Sequence, residues 1–193
     1  RFMWYSDFYN GYLNHEYVSL AVQHFLLARF GSQFPFNPVS GSLYHLCFEM
    51  LLKSYLIRNG FSLDTLKNKF GHNLVKLWDE FKVLLKDSSL DNFDLHIKNL
   101  DTWERVRYIA LSEGKNASRI EIFKGKANEE YLAEVAETDF KSFEKFAIFT
   151  DDMDELFYIF FSKLGIPSEE LLKVPDFVMG KDIYEKGNKF NLL

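Results

Sequence analysis

The chain of 193 residues has little of what several common kinds of protein site require. It holds a single cysteine, Cys47, which excludes a disulfide framework and a cysteine-based zinc site. Its five histidines are scattered without the spacing of a metal-ligand motif, so no metal and no other cofactor is expected. Glycine-rich nucleotide-binding loops and the Gly-x-Ser-x-Gly elbow of hydrolases are also missing from the sequence.

The sequence also lacks long runs of basic or apolar residues. The net charge is −5 and no stretch of Lys and Arg is clustered, which argues against binding of double-stranded DNA. A short RNA held by a few basic residues remains compatible with this charge. No apolar stretch is long enough to span a membrane and no secretory signal peptide is visible, so we expect a cytoplasmic protein with no membrane contact.

Aromatic residues, by contrast, are abundant. They make up 18% of the chain, with 21 Phe and 10 Tyr. Either a thick aromatic core or an interface rich in aromatic anchors accounts for such a composition.

Helical periodicity of the apolar residues predicts an all-α fold, and no composition shift divides the single domain of residues 1–193. Helices are predicted at 12–30, at 39–59, from Asn73 onward, at about 90–113, at about 128–149 and at 151–164. The second of these is apolar on nearly every face and is therefore expected to be central and buried. Residues 114–127 break the pattern and predict an exposed loop or a short hairpin.

The second predicted helix carries a polar stripe along its otherwise apolar surface. Ser42, His45, Glu49 and Lys53 follow one another at helical spacing and therefore share one face. Buried polar groups need partners. The stripe therefore indicates either a structural set of ion pairs or the lining of a cleft or dimer seam.

Two sequence signals in this region carry a resemblance to a known family. The first is His45-x-x-x-Glu49-x-x-x-Lys53, and the second is Gly71-His72-Asn73-Leu74, which opens the next helix. With these signals in this order, the segment of about 10–113 resembles the HEPN superfamily. Many members also place an Arg-Tyr step on the fourth helix, where this chain has Arg107 and Tyr108.

The resemblance implies an up-and-down helical bundle that commonly forms a homodimer. We expect a HEPN-like core at about 10–113, additional C-terminal helices at about 128–174 and a surface tail at 175–193. Many HEPN proteins are metal-independent RNases of toxin–antitoxin or phage-defence systems, with an Arg followed after four to six residues by a His. No Arg in this chain has a His at that separation.

The leading interpretation is therefore a non-catalytic HEPN-like module that binds a protein or nucleic-acid partner, RNA included, in a defence or stress system. The alternative is a metal-independent RNase with an unorthodox catalytic set, in which Arg107 acts with His45 or His72. His72 beside Asn73 is otherwise typical of a helix start rather than of catalysis.

The candidate binding residues are His45, Glu49, Lys53, Arg107 and Tyr108. A carboxylate on an apolar helix must be compensated when it is buried. We therefore predict that Glu49 is buried and contacts Arg107, Lys53 or the Tyr108 hydroxyl. An Arg107 that points inward is expected to form a structural ion pair with Glu49 or to bind a phosphate.

Overall fold

The computed structural model describes residues 3–32, 37–109, 119–123, 125–128 and 145–166. Over these ranges the chain is an all-α helical bundle, as the periodicity predicts, and it also carries one small sheet. The helices are α1 (Met3–Gly31), α2 (Asn37–Arg58), α3 (Leu63–Thr65), α4 (Leu74–Leu85), α5 (Asp94–Ile109) and α6 (Thr150–Lys163). The strands are β1 (Arg119–Phe123) and β2 (Lys145–Phe149), while a π-helical turn (Leu66–Phe70) precedes α4 and a 3-10 helix (Ser88–Phe93) precedes α5.

Helix α2 is the central element, which confirms the prediction from its apolar character. It packs against α1, α4 and α5. Its fully buried apolar side chains are Tyr44, Cys47, Phe48, Leu51, Leu52 and Leu56. A helix surrounded in this way can hold polar groups only if they find partners inside the bundle.

The start of α4 is fixed by two side chains, one predicted and one not. Asn73, at which the sequence predicts this helix to start, is the N-cap, and its side chain accepts a hydrogen bond of 2.7 Å from the Lys76 amide. The Leu74 amide donates instead to the Asp101 carboxylate of α5, at 2.6 Å. These bonds satisfy amides that have no partner within the helix and tie the loop before α4 to α5.

The small sheet corrects two predictions. Strands β1 and β2 are parallel, with Ile120 opposite Phe146 and Ile122 opposite Ile148. A hairpin at 114–127 is therefore wrong, because a tight turn joins only antiparallel strands. The helix predicted at 128–149 is wrong at its end, where β2 buries Ala147 and Ile148 in an extended conformation.

Helix α6 supplies part of the main core. Its Phe157 stacks on Phe25 of α1 with ring centroids 3.8 Å apart. Its fully buried Phe160 lies against Phe48, Trp78 and Phe81, at centroid distances of 5.8, 5.9 and 4.9 Å. These aromatic side chains thus belong to the core.

The rest of the predicted C-terminal extension, at 129–144 and 167–174, and the predicted tail at 175–193 lie outside the described residues. Among the helices that are described, none combines the length and the apolar character that crossing a membrane requires.

Candidate functional site

The polar stripe of α2 lies inside the bundle. The side chains of His45 and Glu49 are fully buried, and Lys53 is 8% exposed. A carboxylate, an ammonium group and an imidazole are therefore held away from water. An unpaired charge in such buried surroundings would be strongly unfavourable. The stripe consequently has to be an internally paired cluster.

Glu49 is the centre of this cluster. Its Oε1 accepts a hydrogen bond of 2.5 Å from Lys53 Nζ and one of 3.0 Å from His72 Nδ1. Its Oε2 lies 3.5 Å from His45 Nε2, an ion-pair distance longer than an ordinary hydrogen bond. The prediction that Glu49 is buried and contacts Lys53 is confirmed. Burial raises the pKa of Glu49, but the nearby His45 and Lys53 outweigh it and lower the pKa to about 2.

His45 connects the cluster to α5. Its Nδ1 lies 3.0 Å from the carbonyl oxygen of Leu100. A carbonyl can only accept, so Nδ1 carries a proton, and Nε2 faces Glu49. Burial lowers the pKa of His45, but Glu49, the Leu100 carbonyl and Asp101 together outweigh it, so the pKa is raised. His45 is therefore held as a cation beside the carboxylate more readily than a free histidine.

His72 reaches the same carboxylate from the loop before α4. The preceding Gly71 has φ of 57°, a conformation that glycine adopts readily and that turns the chain after the π-helical turn. The His72 side chain is 64% exposed although its Nδ1 bonds to Glu49. An ionised carboxylate only accepts hydrogen bonds, so Nδ1 of His72 is the donor and Nε2 faces outward. The sequence indicated His72 as a helix-start residue and as a candidate catalytic group, but not as a partner of Glu49.

Two side chains of α1 respond to the charge of Glu49. Burial raises the pKa of Tyr17, and Glu49 raises it further. Burial lowers the pKa of His24, and Glu49 partly opposes this effect. In the part of the chain that is described, the buried Nδ1 of His24 has no hydrogen-bond partner. The cluster therefore lies where α1, α2, α5 and the start of α4 meet.

The structure thus brings together four candidate residues, namely His45, Glu49, Lys53 and His72. Arg107 lies on α5 with its neighbour Tyr108, but the side chains of both are outside the described residues. The predicted contact of Glu49 with either of them therefore stays a prediction. Among the residues described, no group of His, Cys, Asp and Glu side chains is arranged to hold a metal ion.

His72 lies within a basic segment of the chain. We call Lys67, Lys69, His72 and Lys76 the basic edge; all four are exposed. No acidic residue occurs between Asp64 and Asp79. Of the lysines, Lys69 is paired, with its Nζ 2.6 Å from Glu80 Oε2. In a chain of net charge −5, this segment is a local concentration of basic residues.

No protein-family model, curated protein or solved structure matches this chain. The resemblance to HEPN proteins therefore rests on the sequence alone, through the two signals and the Arg107-Tyr108 step.

Proposed function

We propose that the chain is a non-catalytic helical module that binds single-stranded RNA through the basic edge. The observation that carries this proposal is the separation of charges at the site. The cations of the α2 stripe are buried and paired with Glu49, whereas Lys67 and Lys76 of the basic edge face solvent and Lys69 is paired at the surface with Glu80. Accessible positive charge in an otherwise acidic chain is what a phosphate backbone would bind.

The expected affinity is modest and depends on salt. Each phosphate that is neutralised on a single strand contributes a slope of about 0.7 in log K against log salt, so three lysines give a slope of roughly −2. A duplex requires a larger basic surface, and the acidic net charge argues against it. The module therefore fits a short single strand rather than a double helix.

The pairing of the charged side chains within the cluster supports RNA binding rather than RNA cleavage. RNA cleavage needs a group that activates the 2′-oxygen and a cation that stabilises the charged phosphorane. His45 is fully buried, and Lys53 is bonded to Glu49. Neither is accessible to a phosphodiester without disrupting the bundle.

The test compares two triple variants by fluorescence anisotropy with a labelled single-stranded RNA. The first is Lys67→Gln/Lys69→Gln/Lys76→Gln, which removes the lysines of the basic edge. The control is Lys86→Gln/Lys126→Gln/Lys163→Gln, which removes three exposed lysines elsewhere. Both change the net charge from −5 by the same three units, to −8.

We expect the first variant to lose binding and the control to keep it. Equal losses in the two variants would show that binding follows total charge and would contradict a site at the basic edge. No binding by the wild-type chain would overturn RNA as the ligand and leave a protein partner as the remaining form of the binding-module proposal.

One observation favours the rival, a metal-independent RNase. A carboxylate-bound histidine whose second nitrogen has no partner among the described residues, as in the Glu49–His72 pair, is an arrangement used in general acid–base catalysis. Cleavage of the same RNA in EDTA that His72→Ala, His45→Ala and Arg107→Ala each abolish would establish this rival. We expect the RNA to remain intact with the wild-type chain.

The homodimer is a proposal that rests on the abundance of Phe and Tyr and on the HEPN resemblance. The place in a defence or stress system is a proposal that rests on the resemblance alone. Light scattering tests the first directly. A monomer mass at high protein concentration would contradict it.

A further inference from the structure

The two histidines of the cluster bind Glu49 in opposite orientations. His45 presents Nε2 to the carboxylate and uses Nδ1 on the Leu100 carbonyl. His72 presents Nδ1 to the carboxylate, and the described residues give its Nε2 no partner. In neutral His72 the lone pair is therefore confined to Nε2, on a side chain that is 64% exposed.

This geometry makes Nε2 of His72 a nucleophile. A carboxylate that accepts the opposite N–H fixes the tautomer and the ring orientation, which leaves the lone pair on the other nitrogen. It also stabilises the imidazolium that forms when Nε2 is bonded to an electrophile. His15 of α1 is exposed as well, but in the described structure it has no carboxylate partner. Of these two exposed histidines, His72 has a carboxylate partner and His15 serves as the comparison without one.

The surroundings of His72 favour an anionic electrophile. Lys67 and Lys76 are exposed on either side of it in the chain, and no acidic residue lies between Asp64 and Asp79. Exposed lysines raise the local concentration of an anionic phosphoryl donor. A neutral or cationic electrophile would gain nothing from the same lysines.

We propose that Nε2 of His72 is a phosphoryl-acceptor site that is activated by Glu49. The donor is a small molecule or protein of the phosphoramidate or acyl-phosphate class. The Nε2 lone pair attacks phosphorus, the new N–P bond forms as the donor's bond to its leaving group breaks, and that group departs with the electron pair. Phosphoramidate reacts as its zwitterion, whose nitrogen already carries three protons, so the leaving group is ammonia and the Nδ1 proton of His72 stays on its bond to Glu49.

Phosphorylation of His72 regulates the RNA binding proposed above. This consequence rests on the proposed function, whereas the acceptor site itself does not. A phosphoryl group brings a charge of about −1.5 to −2. Placed in the basic edge, it repels an RNA backbone that the lysines attract. Phosphorylation of His72 therefore turns RNA binding off.

The experiment treats the full-length chain with potassium phosphoramidate in the absence of RNA. Site-resolved mass spectrometry follows the rates at His72 and His15 in the same sample, and ³¹P NMR distinguishes the Nε2 adduct from the Nδ1 adduct. We expect His72 to react at Nε2 about tenfold or more faster than His15. In Glu49→Gln that advantage should disappear, whereas Glu80→Gln should retain it.

Equal rates at His72 and His15 in the wild-type chain, or an adduct at Nδ1, would overturn the proposal even if Glu49→Gln proved unable to fold. RNA affinity is measured separately, before and after phosphorylation. Selective phosphorylation of a chain that never bound RNA would refute the proposed function and leave the acceptor site standing. Unchanged affinity for RNA after full phosphorylation would overturn the proposal that phosphorylation of His72 turns RNA binding off.

Discussion

The imidazole Nδ1 of His72 lies 3.0 Å from Oε1 of Glu49, across 23 positions of sequence. The same oxygen accepts a hydrogen bond from Lys53 Nζ at 2.5 Å, so one buried atom joins the loop before α4 to the middle of α2. Charge-assisted bonds of this kind are stronger than those between neutral groups. Glu49 therefore has a structural role that can be measured apart from any function.

Replacement of Glu49 by Ala should strongly destabilise the fold. It leaves Lys53, which is 8% exposed, and the fully buried His45 without their shared anion. Removal of one partner from a buried ion pair typically lowers the free energy of unfolding by about 3–5 kcal/mol. Urea denaturation measures the loss. The control is Glu80→Ala, whose surface pair with Lys69 should contribute less than about 1 kcal/mol; equal losses would refute the buried role.

Stability should fall in acid because of Glu49. Its pKa is lowered from 4.5 to about 2 in the folded chain, so its contribution is complete above pH 4.5 and is lost as the pH falls toward 2. A shift of this size corresponds to about 3 kcal/mol. The measurement is the difference in unfolding free energy between the wild type and Glu49→Gln across that range. A difference that does not shrink on acidification would contradict the assignment.

His45 should produce the opposite dependence at higher pH. Its folded pKa is raised above 6.5, so its contribution is present below 6.5 and is lost as the pH rises through the raised value. His24 and His96 have the opposite effect on the pH dependence of stability. Burial lowers the pKa of each, so each disfavours the folded state as the pH falls. The free energy of unfolding is measured against pH for the wild type and for His45→Gln. The difference between the two curves removes the effect of His24 and His96. We expect this difference to decrease with rising pH, and a flat difference would show that His45 is not charged in the fold.

Local features of the site could be predicted from the sequence. Asn73 caps α4 through its own side chain, and Glu49 pairs with Lys53 one helical turn away. Both interactions join residues that are neighbours on one helix, so spacing and residue type suffice to find them. The buried position of α2 follows in the same way from its apolar composition.

Contacts between distant segments could not be predicted in this way. The bond from His72 to Glu49 depends on how α4 packs beside α2, and the pairing of β1 with β2 depends on a partner far along the chain. The sequence nevertheless contained one indication of the bond from His72 to Glu49, because a buried carboxylate requires more than one hydrogen-bond donor. A histidine after a turn-forming Gly71 was a suitable second donor for Glu49.

Helix α6 should prove essential for the core. Phe160 is fully buried against Phe48, Trp78 and Phe81. Phe160→Ala should therefore lower the free energy of unfolding by about 3–5 kcal/mol through lost burial and a cavity. Tyr158 of the same helix is 72% exposed, and Tyr158→Ala should change stability by no more than about 0.5 kcal/mol. Similar effects of the two substitutions would mean that α6 does not belong to the core.

Gly41 should not tolerate even one added methyl group. In most helices Gly→Ala stabilises by about 1 kcal/mol, since glycine is a poor helix former. At Gly41 of α2, however, a Cβ atom would overlap the six-membered ring of Trp103 on α5. Trp103 is fully buried and has no room to withdraw. We therefore expect Gly41→Ala to destabilise by about 1–3 kcal/mol, as overpacked cores do.

Thermal or urea unfolding of Gly41→Ala, Trp103→Leu and the double variant tests the cause. If the clash with Trp103 is responsible, the double variant should be more stable than the sum of the two single losses predicts, because the smaller side chain makes room for the methyl group. Val39→Ala, at a position of α2 that is 59% exposed, serves as the control and should be nearly neutral. Strict additivity of Gly41→Ala and Trp103→Leu would mean that the close approach of α2 to α5 is not what requires glycine at this position.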